Sequence, residues 1–483
     1  MKNIIKRISV YMTLIALIAV GCDSGFEEIN QNPNDPLTIS PNLLLGQIEK
    51  TTVDLMYSTF NGGDMGSCWS QQLSKIQYND EERFNPRQSS ISSVWNTIYA
   101  SIISDANSMY KLGDTEGNNN IKGVALVMQA YGYLLLTDLY GDIPFTEAML
   151  AEGGNITPVY NTQEDVYDGV LNMLDEAALL LGTGGTIESV TDIVYGGNVN
   201  NWERFANSLK FRALMRISKK MNVSSQLQAL IDEDNMFTSN VNEAKFTYKE
   251  ENPNANPIYE GIVFGTRKEW KVCEVFVNQL VNTNDPRLPQ MVDDLDDDQV
   301  YRGKPSGIAD VPNDDYNVTN VSAIGPHYLR GEAPGYYMSY SELEFLIAEA
   351  ITRADITLSA GSASDHYNAG ILSSVLSAGA NAGLVASFQA DAQIALTGDE
   401  VSDLGKIATQ NWVGLFLQGF ESFIEQRRTG FPVIPMPIDA YISDFPVRLN
   451  YPNLESSING VNYDAAIQRQ GPDLLTTKMW RLQ

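Results

Sequence analysis

Sixty carboxylates, two histidines and three cysteines set the chemistry open to this 483-residue chain. His327 and His366 stand far apart in sequence and cannot supply a His-rich metal site. A serine or cysteine hydrolase would have to make one of them its base. The sequence contains no GxxxxGK[ST] phosphate loop, no GxSxG elbow and no Rossmann fingerprint. Carboxylate chemistry survives: glycoside hydrolysis needs two carboxyls about 5–5.5 or 6.5–9.5 Å apart across a groove, which sequence spacing does not show. Asp293, Asp294, Asp296, Asp297 and Asp298 offer oxygen ligands for Ca²⁺. As an EF-hand the run fails, because Gln299 stands where the loop requires glycine, and a solvated acidic loop is the simpler reading. The reading therefore names no catalytic residue, metal or cofactor.

Binding makes different demands. Sugar recognition needs aromatic faces for the C–H side of a pyranose, flanked by polar groups for its hydroxyls, and exposed on irregular segments. Three stretches meet that pattern. Between Asp64 and Phe84, the aromatics Trp69, Tyr78 and Phe84 alternate with polar groups such as Asn79; the competing reading puts Trp69 in the core and uses Tyr78 and Phe84 to close the scaffold. Arg267 and Trp270 pair a guanidinium with an indole, suited to stacking or to gripping a carboxylate, unless they begin a helix through Val275. His327, Tyr328, Tyr336 and Tyr337 fall in a Gly/Pro-interrupted coil, which could equally be a tyrosine plug, with His327 a hydrogen-bonded structural residue. Trp95, Tyr99, Trp202 and Trp412 lie on apolar helical faces and read as core.

The elements that must position these groups are mostly helical. In 89–112, Trp95, Tyr99, Ile102, Ala106 and Met109 form one stripe at helical spacing. Residues 121–140 are apolar on nearly all sides and must be enclosed. Further helices are expected at 164–182, opened by a Thr162 cap, and at 201–221, 341–353, 364–378 and 403–428. Paired helices at such intervals suggest a tetratricopeptide-like array. Between 222 and 340 the pattern breaks into short strand-like runs at 244–248 and 258–262, an irregular insertion where a binding surface belongs. The segment 430–483 reads as wrapping coil. The fold class is mainly α with few short strands.

Composition supports a folded body: 43% of residues are hydrophobic and 10% aromatic, enough for a large core. A net charge of -28 with no basic stripe excludes nucleic acid as a partner. Lys2, Lys6 and Arg7 precede an apolar run over 8–20 that is too short to span a membrane and suits a signal sequence. It ends at Ala19-Val20-Gly21-Cys22, which resembles a bacterial lipobox with Cys22 as the lipidated residue; the alternative is an ordinary signal with an incidental cysteine. Residues 1–21 are then a signal peptide, 22–41 an Asn/Pro-rich tether and 42–483 one helical domain containing the 222–340 insertion. Cys68 and Cys273 read as unpaired buried thiols.

Taken in order, six motifs resemble one family. They are Phe26-Glu27-Glu28-Ile29-Asn30 with Asn32-Pro33-Asn34, Asp138-Leu139-Tyr140-Gly141-Asp142-Ile143-Pro144, Ser341-Glu342-Leu343-Glu344, Gln410-Asn411-Trp412, Glu425-Gln426-Arg427-Arg428 and Arg448-Leu449-Asn450-Tyr451-Pro452. With the lipobox, the chain resembles the SusD/RagB lipoproteins of the Bacteroidetes outer membrane. The C-terminal Lys478-Met479-Trp480-Arg481-Leu482 departs from the double Trp and Asp of many relatives. The resemblance implies a tetratricopeptide-like scaffold and a surface protein without catalysis that binds oligosaccharide, or peptide in some members. It also implies a TonB-dependent SusC-like transporter as partner, and a membrane reached through the lipid alone. Two other readings stand beside it: a lipid-anchored glycoside hydrolase, and a purely structural envelope scaffold.

Overall fold

In the computed structural model, which describes residues 40–295 and 299–483, the Asn119–Tyr140 helix lies at the centre, with every residue but Asn119 and Lys122 buried. Its all-round apolar surface has no stable alternative to enclosure. The helices Ser104–Glu116, Gln163–Leu180 and Val199–Ile217 pack directly against it. Short polar side chains set the starts: Asn118 Oδ1 accepts from the Ile121 N–H at 3.1 Å, and Thr162 Oγ1 accepts from the Asp165 N–H at 3.1 Å. Cys22, the signal and tether segments through residue 39, and Asp296–Asp298 fall outside the described residues. Among the described residues no helix is long and apolar enough to cross a membrane.

The architecture is the expected mainly α, tetratricopeptide-like scaffold, with three two-stranded antiparallel ribbons among the described residues. The helices expected at 164–182, 201–221, 341–353 and 364–378 occur as Gln163–Leu180, Val199–Ile217, Tyr340–Thr352 and Ala363–Ser377. The stripe over 89–112 forms Gln88–Asn96 and Ser104–Glu116, joined by a π-helical turn at Thr97–Ile103. Trp95, Trp202 and Trp412 are buried, and Cys68 and Cys273 are buried and free.

Three expectations are corrected. The 403–428 helix is two helices, Glu400–Gly414 and Gly419–Thr429, with positive φ at Leu417 and Gly419 between them. The reason is a backbone crossing: a Cβ on Gly66 would lie 2.2 Å from the Gly419 carbonyl carbon, so only glycine lets the π-helical Thr59–Ser67 segment pass. The 258–262 run is a helical turn, because Asn256 caps Pro257–Tyr259 through its contact with the Ile258 N–H. The closing coil contains an 11-residue helix, Gly460–Gln470.

A buried ion network ties the helices together. Arg212 holds Glu342 at 2.6 Å, Arg216 holds Asp138 at 2.5 Å and also pairs with Glu421, and Arg428 holds Glu349 at 2.6 Å and Glu425 at 2.7 Å. Arg481 reaches Asp138 from the C-terminus at 2.9 Å. Burial, aided by the neighbouring Glu421 and only partly offset by Arg212, pushes the Glu342 carboxyl up to about 7. Burial acts on Glu425 too, but Arg428 and Arg216 overcome it and hold that carboxyl down to about 2. Folded Glu342 therefore binds its proton more tightly than the unfolded chain does. Its contribution to stability is full below the ordinary glutamate range and lost as pH rises through about 7. Raising pH from about 5 to 8 should lower the Tm of the wild type relative to that of Glu342→Gln; parallel Tm curves would contradict this assignment.

Candidate functional site

The groove where two of the predicted binding residues meet is built on a short two-stranded sheet. Leu73–Lys75 pairs antiparallel with Trp270–Val272, and the register sets Lys75 opposite Trp270. That pairing brings the loop after Lys75, carrying Tyr78, against the loop before Trp270, carrying Arg267. The resulting groove has a volume of about 900 Å³.

Arg267 is its centre. The guanidinium carbon lies 5.1 Å from the Phe60 ring, 5.5 Å from the Tyr78 ring and 5.7 Å from the Trp270 ring, within cation–π range of all three. Its Nε donates to Glu269 Oε1 at 2.7 Å, and that bond holds the guanidinium above its ordinary pKa. Tyr78 sits at φ +50° with 70% of its surface exposed, so its ring is presented rather than packed. Phe60, half-buried, meets Trp270 edge-on at 5.4 Å and receives Arg87 at 5.7 Å on its face.

Beneath the rings lies a closed set of charges. Asp64 accepts from the Trp270 Nε1–H at 2.9 Å and pairs with Lys75 at 3.0 Å and Arg87 at 3.2 Å. Glu81 pairs with both Lys75 and Arg87. Burial raises the Asp64 carboxyl, with Glu81 adding and Lys75 opposing; burial opposes the charge on Lys75, but Asp64 and its neighbours leave that ammonium raised overall. Lys75, Arg87 and Arg267 are thus matched by Asp64, Glu81 and Glu269, and Lys268 and Asp80 add one charge of each sign to the lining, giving a site near electroneutrality in a chain of charge -28. These carboxylates are spent on ion pairs, which leaves none of them placed as the free acid and base that glycoside hydrolysis requires.

Of the sequence-predicted residues, Tyr78 and Arg267 meet in the groove. The others do not line it, since a coil in sequence need not be a surface in space. Trp69 is fully buried, its indole N–H donating to the Glu81 carbonyl at 2.8 Å. Phe84 is buried 6.0 Å from that indole. Trp270 is the buried floor, on a strand rather than a helix. Tyr337 is buried, with its hydroxyl donating to the Glu49 carbonyl at 2.5 Å. Asn79 is also turned inward, donating to the Ile308 carbonyl at 2.6 Å. The 327–337 stretch lines no part of the groove. His327 hydrogen-bonds through Nε2 to the Ser377 carbonyl at 2.9 Å, Tyr328 packs on Phe416 at 5.1 Å, and half-buried Tyr336 lines a cavity of only about 20 Å³. Sequence reasoning missed Phe60 and Arg87, which flank the predicted stretch; Gly62-Gly63 beside Phe60 and Pro86 beside Arg87 were the available signals of irregular backbone.

Comparison with known proteins gives a consistent result. A family model described as "Starch-binding associating with outer membrane", SusD-like_2, matches residues 33–452. Among solved structures, a chitin-binding protein is similar at 25% identity and TM-score 0.80, covering 92% of this chain and 100% of that one. A SusD homolog from Bacteroides uniformis is similar at 21% identity and TM-score 0.81, covering 91% and 99%. A chitin-binding SusD homolog from Flavobacterium johnsoniae is similar at 22% identity and TM-score 0.78, covering 92% and 97%. A search of curated protein sequences returned no match.

Proposed function

The chain belongs to the SusD-like family of outer-membrane-associated binding proteins, and from that premise we propose that the Tyr78–Arg267 groove captures oligosaccharides and passes them to a SusC-like TonB-dependent transporter without altering them. Cys22 carries the lipid in this reading, and residues 22–41 tether the body to the cell surface. The observation that carries the ligand class is the exposed Tyr78 ring backed by Arg267 and Phe60. An aromatic plane flanked by charge-satisfied donors and acceptors suits an uncharged sugar, and the matched ion pairs beneath it favour no ionic ligand. The chitin-binding relatives make N-acetylated β-linked oligomers the first ligands to try; peptide is the second class.

Calorimetric titration of the mature chain with chito-, malto- and xylo-oligosaccharides and a peptide pool tests the proposal. Tyr78→Ala and Arg267→Ala are each expected to weaken the bound ligand about 10- to 100-fold, the range of an interface hot spot. Thermal stability should hardly change for Tyr78→Ala, because the ring is exposed. Binding of no glycan or peptide, or full affinity in both variants, would remove the groove from consideration. A structural scaffold would show neither ligand nor variant effect.

A further inference from the structure

A second pocket, of about 380 Å³, opens where the Gln88–Asn96 helix and its continuation meet the segments 144–158 and 455–459. Asn459 and Asn462 tie those two segments together by donating to the carbonyls of Pro158 and Thr157. Its floor includes Trp95 and Tyr99, with rings 4.9 Å apart. The Tyr99 hydroxyl is committed, donating to the Pro144 carbonyl at 2.6 Å, so its ring is what the half-buried residue offers.

The two sides differ in chemistry. Along the helix, Asn96, Ser104, Asn107 and Ser108 line the pocket at helical spacing. Opposite them stand Met149, Ile156 and Ile458, and the two isoleucines are 76% and 54% exposed. Exposed apolar side chains gathered around a concavity and rimmed by polar groups mark a binding surface. Glu455 lies in the same wall. One of its oxygens accepts from the Tyr160 hydroxyl at 2.5 Å, and the other has no protein partner among the described residues. Lys111, the cation that lines the pocket, is engaged with Glu152.

We propose that this pocket binds a short extended peptide that carries a large apolar side chain beside a lysine or arginine. The apolar side chain packs on Met149, Ile156 and Ile458. The cation meets the open oxygen of Glu455 next to the Tyr99 ring, and the peptide amides face the Asn and Ser stripe. A pyranose is a poorer fit, because the wall opposite the polar stripe is aliphatic. Burial raises the Glu455 carboxyl against the opposing Tyr160 hydrogen bond, and the charge of an arriving cation offsets that penalty on the ionised form. The chain's net charge of -28 steers a basic ligand and repels an acidic one.

The probe is the blocked tetrapeptide acetyl-Ala-Leu-Lys-Ala amide, titrated by calorimetry into the full mature chain. Saturable binding is expected, weakened about tenfold when the probe's lysine is replaced by glutamine or its leucine by serine. Glu455→Gln should weaken it to a similar degree while leaving glycan binding in the Tyr78 groove unchanged. Ile458→Lys should abolish it, by placing a rival cation beside Glu455 and removing apolar surface. No binding of the probe, or equal affinity for its lysine and glutamine forms, would overturn the proposal. Loss of peptide binding in Tyr78→Ala but not in Glu455→Gln would do the same, by placing the peptide in the other groove.

Discussion

Replacing Arg216 by methionine is expected to cost about 3–5 kcal/mol of folding stability, the penalty for leaving buried charges without their partner. Arg216 is buried and touches Asp138, Glu421 and Glu425, which come from two separate helices. Methionine fills most of the space but neutralises none of the three. Asp138 keeps Arg481 and the Tyr167 hydroxyl, Glu425 keeps Arg428 at 2.7 Å, and among the described residues Glu421 keeps only Arg212 at 3.7 Å. Urea denaturation at neutral pH measures the loss. A loss under about 1 kcal/mol at neutral pH would mean that the network contributes little net free energy, as buried pairs sometimes do against apolar replacements. The substitution should not touch the ligand directly, so any protein that folds should bind with wild-type affinity.

Trp270→Ala is expected to be as damaging, about 3–5 kcal/mol for a fully buried indole, and to remove ligand binding as well. Trp270 packs edge-on to Phe60, lies under Arg267 and donates to Asp64. Its removal opens a cavity below the groove and deprives Asp64 of a donor while Lys75 and Arg87 remain. The contrast with Tyr78→Ala carries the meaning: the exposed ring should govern affinity alone, the buried one affinity and stability together. Thermal denaturation and titration on both variants separate the roles. If Trp270→Ala kept wild-type stability and lost only affinity, the indole would be a direct ligand contact and its burial would have misled.

Burial decides which aromatics can touch a ligand, and burial is a property of packing. Trp69, Trp270 and Tyr337 are, like Tyr78, aromatics in stretches that read as candidate binding segments, yet only Tyr78 is exposed. Trp69 stands beside Ser70, Tyr78 beside Asn79 and Tyr337 two residues from Gly335 and Ser339, while Trp270 is flanked by Glu269 and Lys271. In the fold, Trp69 is enclosed by Phe84 and Phe423, and Tyr337 by Tyr131 and Phe205. Apart from Phe84, those partners come from remote parts of the chain, so no local pattern announces them. The same holds for Trp95 and Tyr99. Their helical spacing marks them as core, and Trp95 is buried, yet both border a pocket because 144–158 and 455–459 stop short of covering them.

The sequence by itself determined the scaffold. Helical periodicity and capping residues are local, so the helices Gln163–Leu180, Tyr340–Thr352 and Ala363–Ser377 and the Thr162 start could be read within a residue or two, whereas the 201–221 expectation ran four residues past Ile217. Ordered motifs spread along the chain determined the family for the same reason, since each is a short contiguous string. The site was only half contained there. Tyr78 and Arg267 are residues of the right kind, but their meeting depends on the Lys75–Trp270 register and on the Gly66–Gly419 crossing that sets Asp64 beneath them. Those are long-range contacts between short, weakly patterned segments, where a three-residue strand carries too few positions to show a period. Tertiary structure alone set a few of the 60 carboxylates to three separate tasks: a buried clamp around Arg216, a charge-matched floor under the exposed Tyr78 ring, and an open oxygen on Glu455.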